Sequence, residues 1–92
     1  MVEDLGPSGA RLVESITSEF SNEPAKLAVL HRAARTADTI AALEAEAATQ
    51  PLTAKGSMGQ EVISPLISEA RAQTSLLDKL LKSLGLPDSD ED

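Results

Sequence analysis

The longest helix-forming stretch of the chain covers residues 23–50 and is rich in alanine. Pro24 stands near its start, where a first-turn proline loses no intrahelical hydrogen bond. Pro51 follows its end, and a proline disfavours the α conformation in the residue before it. Since alanine is the best helix former and no β-branched run interrupts the stretch, the sequence predicts one long α-helix over about 23–50.

The apolar face of this predicted helix is built mostly of small side chains. Its members recur at the three- and four-residue spacing of a helix and are Leu27, Leu30, Ala34, Ala37 and Ala41, with Ile40 and Leu43 beside them. At about 25 cal/mol per Å² of apolar surface, alanines stabilise weakly unless another helix comes very near. We therefore expect this helix to pack against more than its own chain.

A second long helix is predicted over about 65–84. Ser64 can cap it, Pro65 suits its first position, and Gly85 ends it. Its apolar stripe follows heptad spacing through Leu66, Ala70, Gln73, Leu77, Leu80 and Leu84. We expect this leucine-rich face to pack antiparallel on the alanine-rich helix.

Two shorter segments complete the predicted fold. A short N-terminal helix begins at Pro7 or Ser8 and runs to about Phe20, which we expect to be the largest core side chain. Residues 51–65 contain a Gly-x-x-Gly turn and predict a small β-hairpin or an extended loop. The predicted fold is therefore all-α: a short N-terminal helix and two long antiparallel helices joined through the 51–65 segment.

The predicted domain organisation has three parts. Residues 1–7 are expected to be a flexible arm, residues 8–87 a helical oligomerisation domain, and residues 88–92 an acidic disordered tail. Four of the fifteen acidic residues lie in this tail and are Asp88, Asp90, Glu91 and Asp92. Such a tail is typical of a solvated end and, less often, of a docking segment.

The composition excludes several classes of function. The 92 residues include no cysteine, tryptophan or tyrosine and one histidine, so disulfides and thiolate metal sites are excluded. No credible nucleophile and base pair is present, and we expect neither an enzyme nor a bound cofactor or metal. No apolar run approaches the ~18–20 residues of a membrane span, which predicts an intracellular protein without a membrane segment.

The net charge of −7 argues against a strong general nucleic-acid binder but leaves room for a local basic patch. His31, Arg32 and Arg35 lie close together in the first long helix, with Lys26 one to two turns earlier, and we expect them to share one flank. Two interpretations stay open. The residues form either a solvated face, with Arg35 near Asp38, or a cationic strip for phosphate oxygens.

The second half of the chain carries a resemblance to a known family. After the long helix come Pro51-Leu52-Thr53-Ala54-Lys55-Gly56-Ser57-Met58-Gly59-Gln60-Glu61-Val62, then Ser64-Pro65-Leu66-Ile67-Ser68-Glu69-Ala70-Arg71, then Leu80-Leu81-Lys82-Ser83-Leu84-Gly85-Leu86-Pro87. In order and spacing these segments resemble the small subunit of phage terminases, of the P27-like kind found in phages and prophages of actinobacteria. The resemblance covers roughly residues 10–88.

The resemblance implies a non-catalytic DNA-packaging protein in the cytoplasm of the bacterial host. Members of this family form rings, recognise viral DNA and present it to the large subunit, which holds the ATPase and the nuclease. On this basis the candidates for DNA phosphate contacts are Lys26, Arg32, Arg35 and Lys55. The acidic residues of the tail are candidates for contacting the large subunit. The alternative is a small helical adaptor or structural phage protein with no nucleic-acid role.

Overall fold

The computed structural model describes residues 2–17 and 23–85, with side chains from residue 3 to 16 and from 23 to 85. A short 3-10 helix, Val2–Asp4, precedes α1 (Pro7–Thr17) and α2 (Pro24–Ala47). Strands β1 (Thr53–Lys55) and β2 (Glu61–Ile63) follow, and α3 (Pro65–Ser83) comes last. The chain is thus mostly helical, as predicted. Phe20 and the tail 88–92 lie outside the described residues.

The bounds of α2 match the prediction at the start and fall short of it at the end. Pro24 occupies the first turn, as predicted, after an extended Glu23. The helix stops at Ala47, three residues before the predicted end at 50. There the N–H groups of Thr49 and Gln50 donate to carbonyls three residues back, at 3.1 Å each. The last turn therefore tightens into 3-10 geometry ahead of Pro51.

The start of α3 is formed as predicted. The Ser64 hydroxyl accepts a hydrogen bond from the Leu66 N–H at 3.2 Å, which makes Ser64 the N-cap residue. Pro65 takes the first helical position, and Leu84 and Gly85 follow the last residue, Ser83.

The core lies where α1, the first half of α2 and the end of α3 meet. Leu30 is fully buried and packs with Val13, Ala34 and Leu84. Ala33 and Thr36 are also buried in α2, whereas no residue of α3 is buried. The first half of the alanine face is therefore buried, whereas the large apolar side chains of α3 are half-buried, apart from the exposed Leu76. This distribution is the reverse of what side-chain size would favour in a closed monomer.

The β-hairpin alternative for residues 51–65 is the one observed. The strands pair antiparallel with Thr53 opposite Ile63 and Lys55 opposite Glu61. In the turn, the Gly59 N–H donates to the Gly56 carbonyl at 3.0 Å, and Gly59 has a φ of +84° that favours glycine. Every residue of both strands is exposed.

A carboxylate of α2 holds the start of α1. Asp38 accepts hydrogen bonds from the backbone N–H groups of Gly6 at 2.7 Å and Gly9 at 2.8 Å. These are among the orphan donors of the α1 N-terminus, so Asp38 caps this helix from a neighbouring one. A Cβ built on Gly9 would lie 2.5 Å from the Ala34 carbonyl oxygen, so only glycine lets the two backbones come this close.

We predict that Asp38→Ala destabilises the protein by about 2 kcal/mol, because two charge-assisted hydrogen bonds are lost at a partly buried helix end. The measurement is the free energy of unfolding from urea denaturation. Glu46→Ala is the matched control, since Glu46 is an exposed acid of the same helix. It should change stability by less than about 0.5 kcal/mol. Equal losses in the two variants would contradict the capping role.

Candidate nucleic-acid interface

A polar groove runs along the middle of α2. It has a volume of about 500 Å³ and is lined by Ala28, His31, Arg32, Arg35, Thr36 and Thr39. The structure thus brings together three of the basic side chains that the sequence singled out. Arg32 and Arg35 are exposed and His31 is half-buried. The groove therefore presents two guanidinium groups, each able to donate a bidentate pair of hydrogen bonds to a phosphate.

The His31 side chain contacts an acidic side chain of the N-terminal segment. Its Nε2 lies 2.9 Å from the Asp4 Oδ2, and both groups remain partly exposed. Desolvation by itself raises the pKa of Asp4, but the His31 hydrogen bond, a backbone hydrogen bond and the charges of His31 and Arg35 together outweigh it. The pKa of Asp4 is therefore lowered from its ordinary value of 3.8. Asp4 belongs to residues 1–7, the segment predicted as a flexible arm, and this contact joins that segment to α2.

We predict that His31→Ala raises the pKa of Asp4 towards 3.8, as measured by NMR titration of its carboxyl carbon. Because the folded-state pKa is lowered, the pairing stabilises the fold above the unfolded pKa and is lost as the pH falls through the folded one. Arg32→Ala is the control, since Arg32 has no contact with Asp4, and the pKa should not move. An Asp4 pKa that His31→Ala leaves unchanged would show that the pair does not form in solution.

The remaining two predicted DNA contacts are not part of this groove. Lys26 precedes Arg35 by nine residues, which is 2.5 turns of a helix, so the two side chains leave α2 on opposite sides. The expectation that Lys26 shares one flank with Arg35 is therefore wrong. Lys55 is exposed in β1, beyond the C-terminal end of α2. Of the four residues predicted to contact DNA, only Arg32 and Arg35 line the groove.

Arg35 and Asp38, expected near each other on a solvated face, form no ion pair within 4.0 Å. The Asp38 oxygens instead accept the backbone N–H groups of Gly6 and Gly9. Sequence reasoning missed this cap and the Asp4 contact. One signal was available: α1 begins Gly-Pro-Ser-Gly, and the glycine in its N-cap position has no side chain to satisfy the first N–H groups.

The described residues were also compared with the requirements of a metal site and of a membrane-spanning helix. Among residues 2–17 and 23–85, no three His, Asp or Glu side chains are grouped so that they could hold a metal ion. Within the same ranges, no helix is both long enough and apolar enough to cross a membrane.

No protein-family model, no curated protein and no solved structure matches this chain. The resemblance to terminase small subunits is therefore carried by the quoted residues alone.

Proposed function

We propose that this protein is a phage terminase small subunit of the P27-like kind, a non-catalytic component of viral DNA packaging. It assembles into a ring in the host cytoplasm, contacts DNA phosphates and presents DNA to the large ATPase-nuclease subunit. The ordered motifs between Pro51 and Pro87 support the family. The tail residues Asp88, Asp90, Glu91 and Asp92 are the proposed contact for the large subunit.

The observation that carries the assembly is the incomplete burial of α3. This helix contains six large apolar side chains, and none of them is buried in a single copy. Leu76 is 40% exposed. Burying a leucine fully is worth about 1.5–3 kcal/mol, so a neighbouring copy that covers this face gains substantial free energy.

The proposed frame of the assembly is an antiparallel pair of α2 and α3. Two contacts support it. The last turn of α2, with Ala47, lines one cleft together with Ile67 and Ala70 from the start of α3. The end of α3, with Leu81 and Leu84, packs against Leu30 in the first half of α2.

We predict that the purified protein has a mass several times the 9.6 kDa of one chain in size-exclusion chromatography with light scattering. Leu76→Asp should lower that mass, because it puts a charge on the face that copies share. Ser75→Asp is the control, since Ser75 is the exposed neighbour of Leu76 on the same helix. A wild-type protein that stays monomeric at micromolar concentration would contradict the ring.

The groove of α2 supports the DNA contact. Arg32 and Arg35 are exposed and have no ion-pair partner within 4.0 Å among the described residues. Neutralising phosphates with such groups releases counterions, which gives affinity without reading the base sequence.

We predict that the double variant Arg32→Ala and Arg35→Ala weakens binding to a fluorescent DNA duplex. Each lost phosphate contact should reduce the slope of log K against log salt by about 0.9, so the two together reduce it by roughly 2 for each copy of the chain that contacts the duplex. The matched control removes two cations from α3, Lys79→Ala with Lys82→Ala, and should leave the slope unchanged. Affinity and slope that do not respond to the arginine pair would remove the groove as the DNA contact.

The net charge of −7 favours one other candidate function, a helical adaptor that binds only protein. The same titration separates the two functions. An adaptor shows no salt-dependent DNA binding with any variant, while it still forms a stable complex with a protein partner.

A further inference from the structure

Exposed apolar side chains are concentrated on and beside the β-hairpin. Leu52 is 72% exposed, Met58 87%, Val62 37% and Ile63 40%. A two-stranded sheet is marginal in water unless it packs on something else. This hairpin has both faces exposed, so the residues that the structure describes do not supply that support.

The tip of the hairpin is held in one conformation. The Gln60 side-chain oxygen accepts the Met58 N–H at 3.1 Å, and the Gln60 carbonyl accepts the Gly56 N–H at 2.6 Å. Together with the turn bond from Gly59 to Gly56, these contacts fix the backbone on both sides of Met58. An apolar side chain presented by a pre-formed turn loses less conformational entropy on binding than one on a mobile loop.

An apolar cleft lies between the end of α2 and the start of α3. Its volume is about 510 Å³, within the range of small-molecule and side-chain pockets. It is lined by Glu44, Ala47, Ala48, Leu52, Ile67, Ala70, Arg71 and Thr74. Leu52 belongs to the same chain and lies beside the hairpin, but the tip does not enter this cleft, because Met58 is almost fully exposed.

We infer that the cleft receives the Met58 tip of the hairpin from a second copy of this chain. Charge complementarity identifies the occupant. Lys55 and Glu61 face each other across the two strands next to the turn, and the cleft carries Glu44 and Arg71. None of these four side chains has an ion pair or a hydrogen bond among the described residues, so a docked hairpin pairs Lys55 with Glu44 and Glu61 with Arg71.

The chemistry of the tip also fits the cleft. Methionine is unbranched and fills irregular apolar gaps, such as those left by Ala47, Ala48 and Ala70. A contact in which one surface of each copy meets a different surface of the next is head-to-tail, and it closes into a ring when the rotation permits. The inference therefore deepens the proposed function and rests on its assembly step.

Paired single cysteines test the contact directly, because the natural chain has no cysteine. Met58→Cys and Ala70→Cys chains, carrying tags of different mass, are co-expressed and oxidised, and the mixed disulfide is quantified on a non-reducing gel. Ser75→Cys replaces Ala70→Cys in the control, since Ser75 is exposed on α3 outside the cleft. We expect the Met58–Ala70 pair to cross-link at least about tenfold faster, because docking raises the effective concentration to the millimolar range.

A second pair of variants measures the same contact without cysteines. Met58→Asp should lower the assembly mass, whereas Ser57→Asp, on the same turn, should leave it unchanged. Circular dichroism checks that both retain the helical content of the wild type.

The outcomes separate this contact from the proposed function. A multimeric wild type in which Met58–Ala70 cross-links no faster than Met58–Ser75 overturns the hairpin contact and leaves the ring standing. Dominant disulfides between two Met58→Cys chains mean that tips meet symmetrically, which also overturns it. A monomeric wild type overturns the assembly itself and this contact with it.

Discussion

The Asp38 carboxylate is the interaction on which the arrangement of the first two helices depends. A helix that begins with glycine and proline lacks a side-chain cap, and its exposed N–H groups would otherwise bind water. Asp38 satisfies two of them from α2, at 2.7 and 2.8 Å, and draws the start of α1 against that helix. The bare backbone of Gly9 then lies against the Ala34 carbonyl. Small residues on both helices make this closeness sterically allowed, which explains an apolar face made of alanines.

The two ends of the described molecule differ in how well their apolar side chains are buried. At one end, α1 and the last residues of α3 cover Leu30, Ala33 and Ala34, and the core is complete there. At the other end, the hairpin that connects α2 to α3 is exposed on both faces. The end of α2 and the start of α3 border an open apolar cleft there. Most of the exposed large apolar side chains of the described residues, all but Leu76, thus lie at one end of the molecule. A second copy can cover it without disturbing the core.

Helix ends were predictable because local chemistry determines them. Pro24, Pro65 and the Ser64 cap act within one turn, and the structure has each in its predicted role. Contacts between distant segments were not predictable in the same way. Asp38 was expected to lie near Arg35, three residues away, but its hydrogen-bond partners lie 29 and 32 residues earlier in the chain. Periodicity predicted a leucine-rich face on α3, but side-chain size and spacing carry no information on how much of that face is buried.

The candidate DNA contact also depends on more than the local structure of one copy. One copy offers two exposed guanidinium groups in a groove that also contains His31, the partner of Asp4, on a chain of net charge −7. Two phosphate contacts are too few for stable binding at physiological salt, where proteins that hold DNA neutralise 6–10 phosphates. Under the proposed ring, each further copy adds its own pair of arginines along the duplex. The second and later contacts then form at high effective concentration, so several weak grooves combine into one binding surface. The acidic character of the whole chain is compatible with this mechanism. The Debye length is about 8 Å at physiological ionic strength, so exposed acidic side chains farther than that from the DNA are largely screened from it.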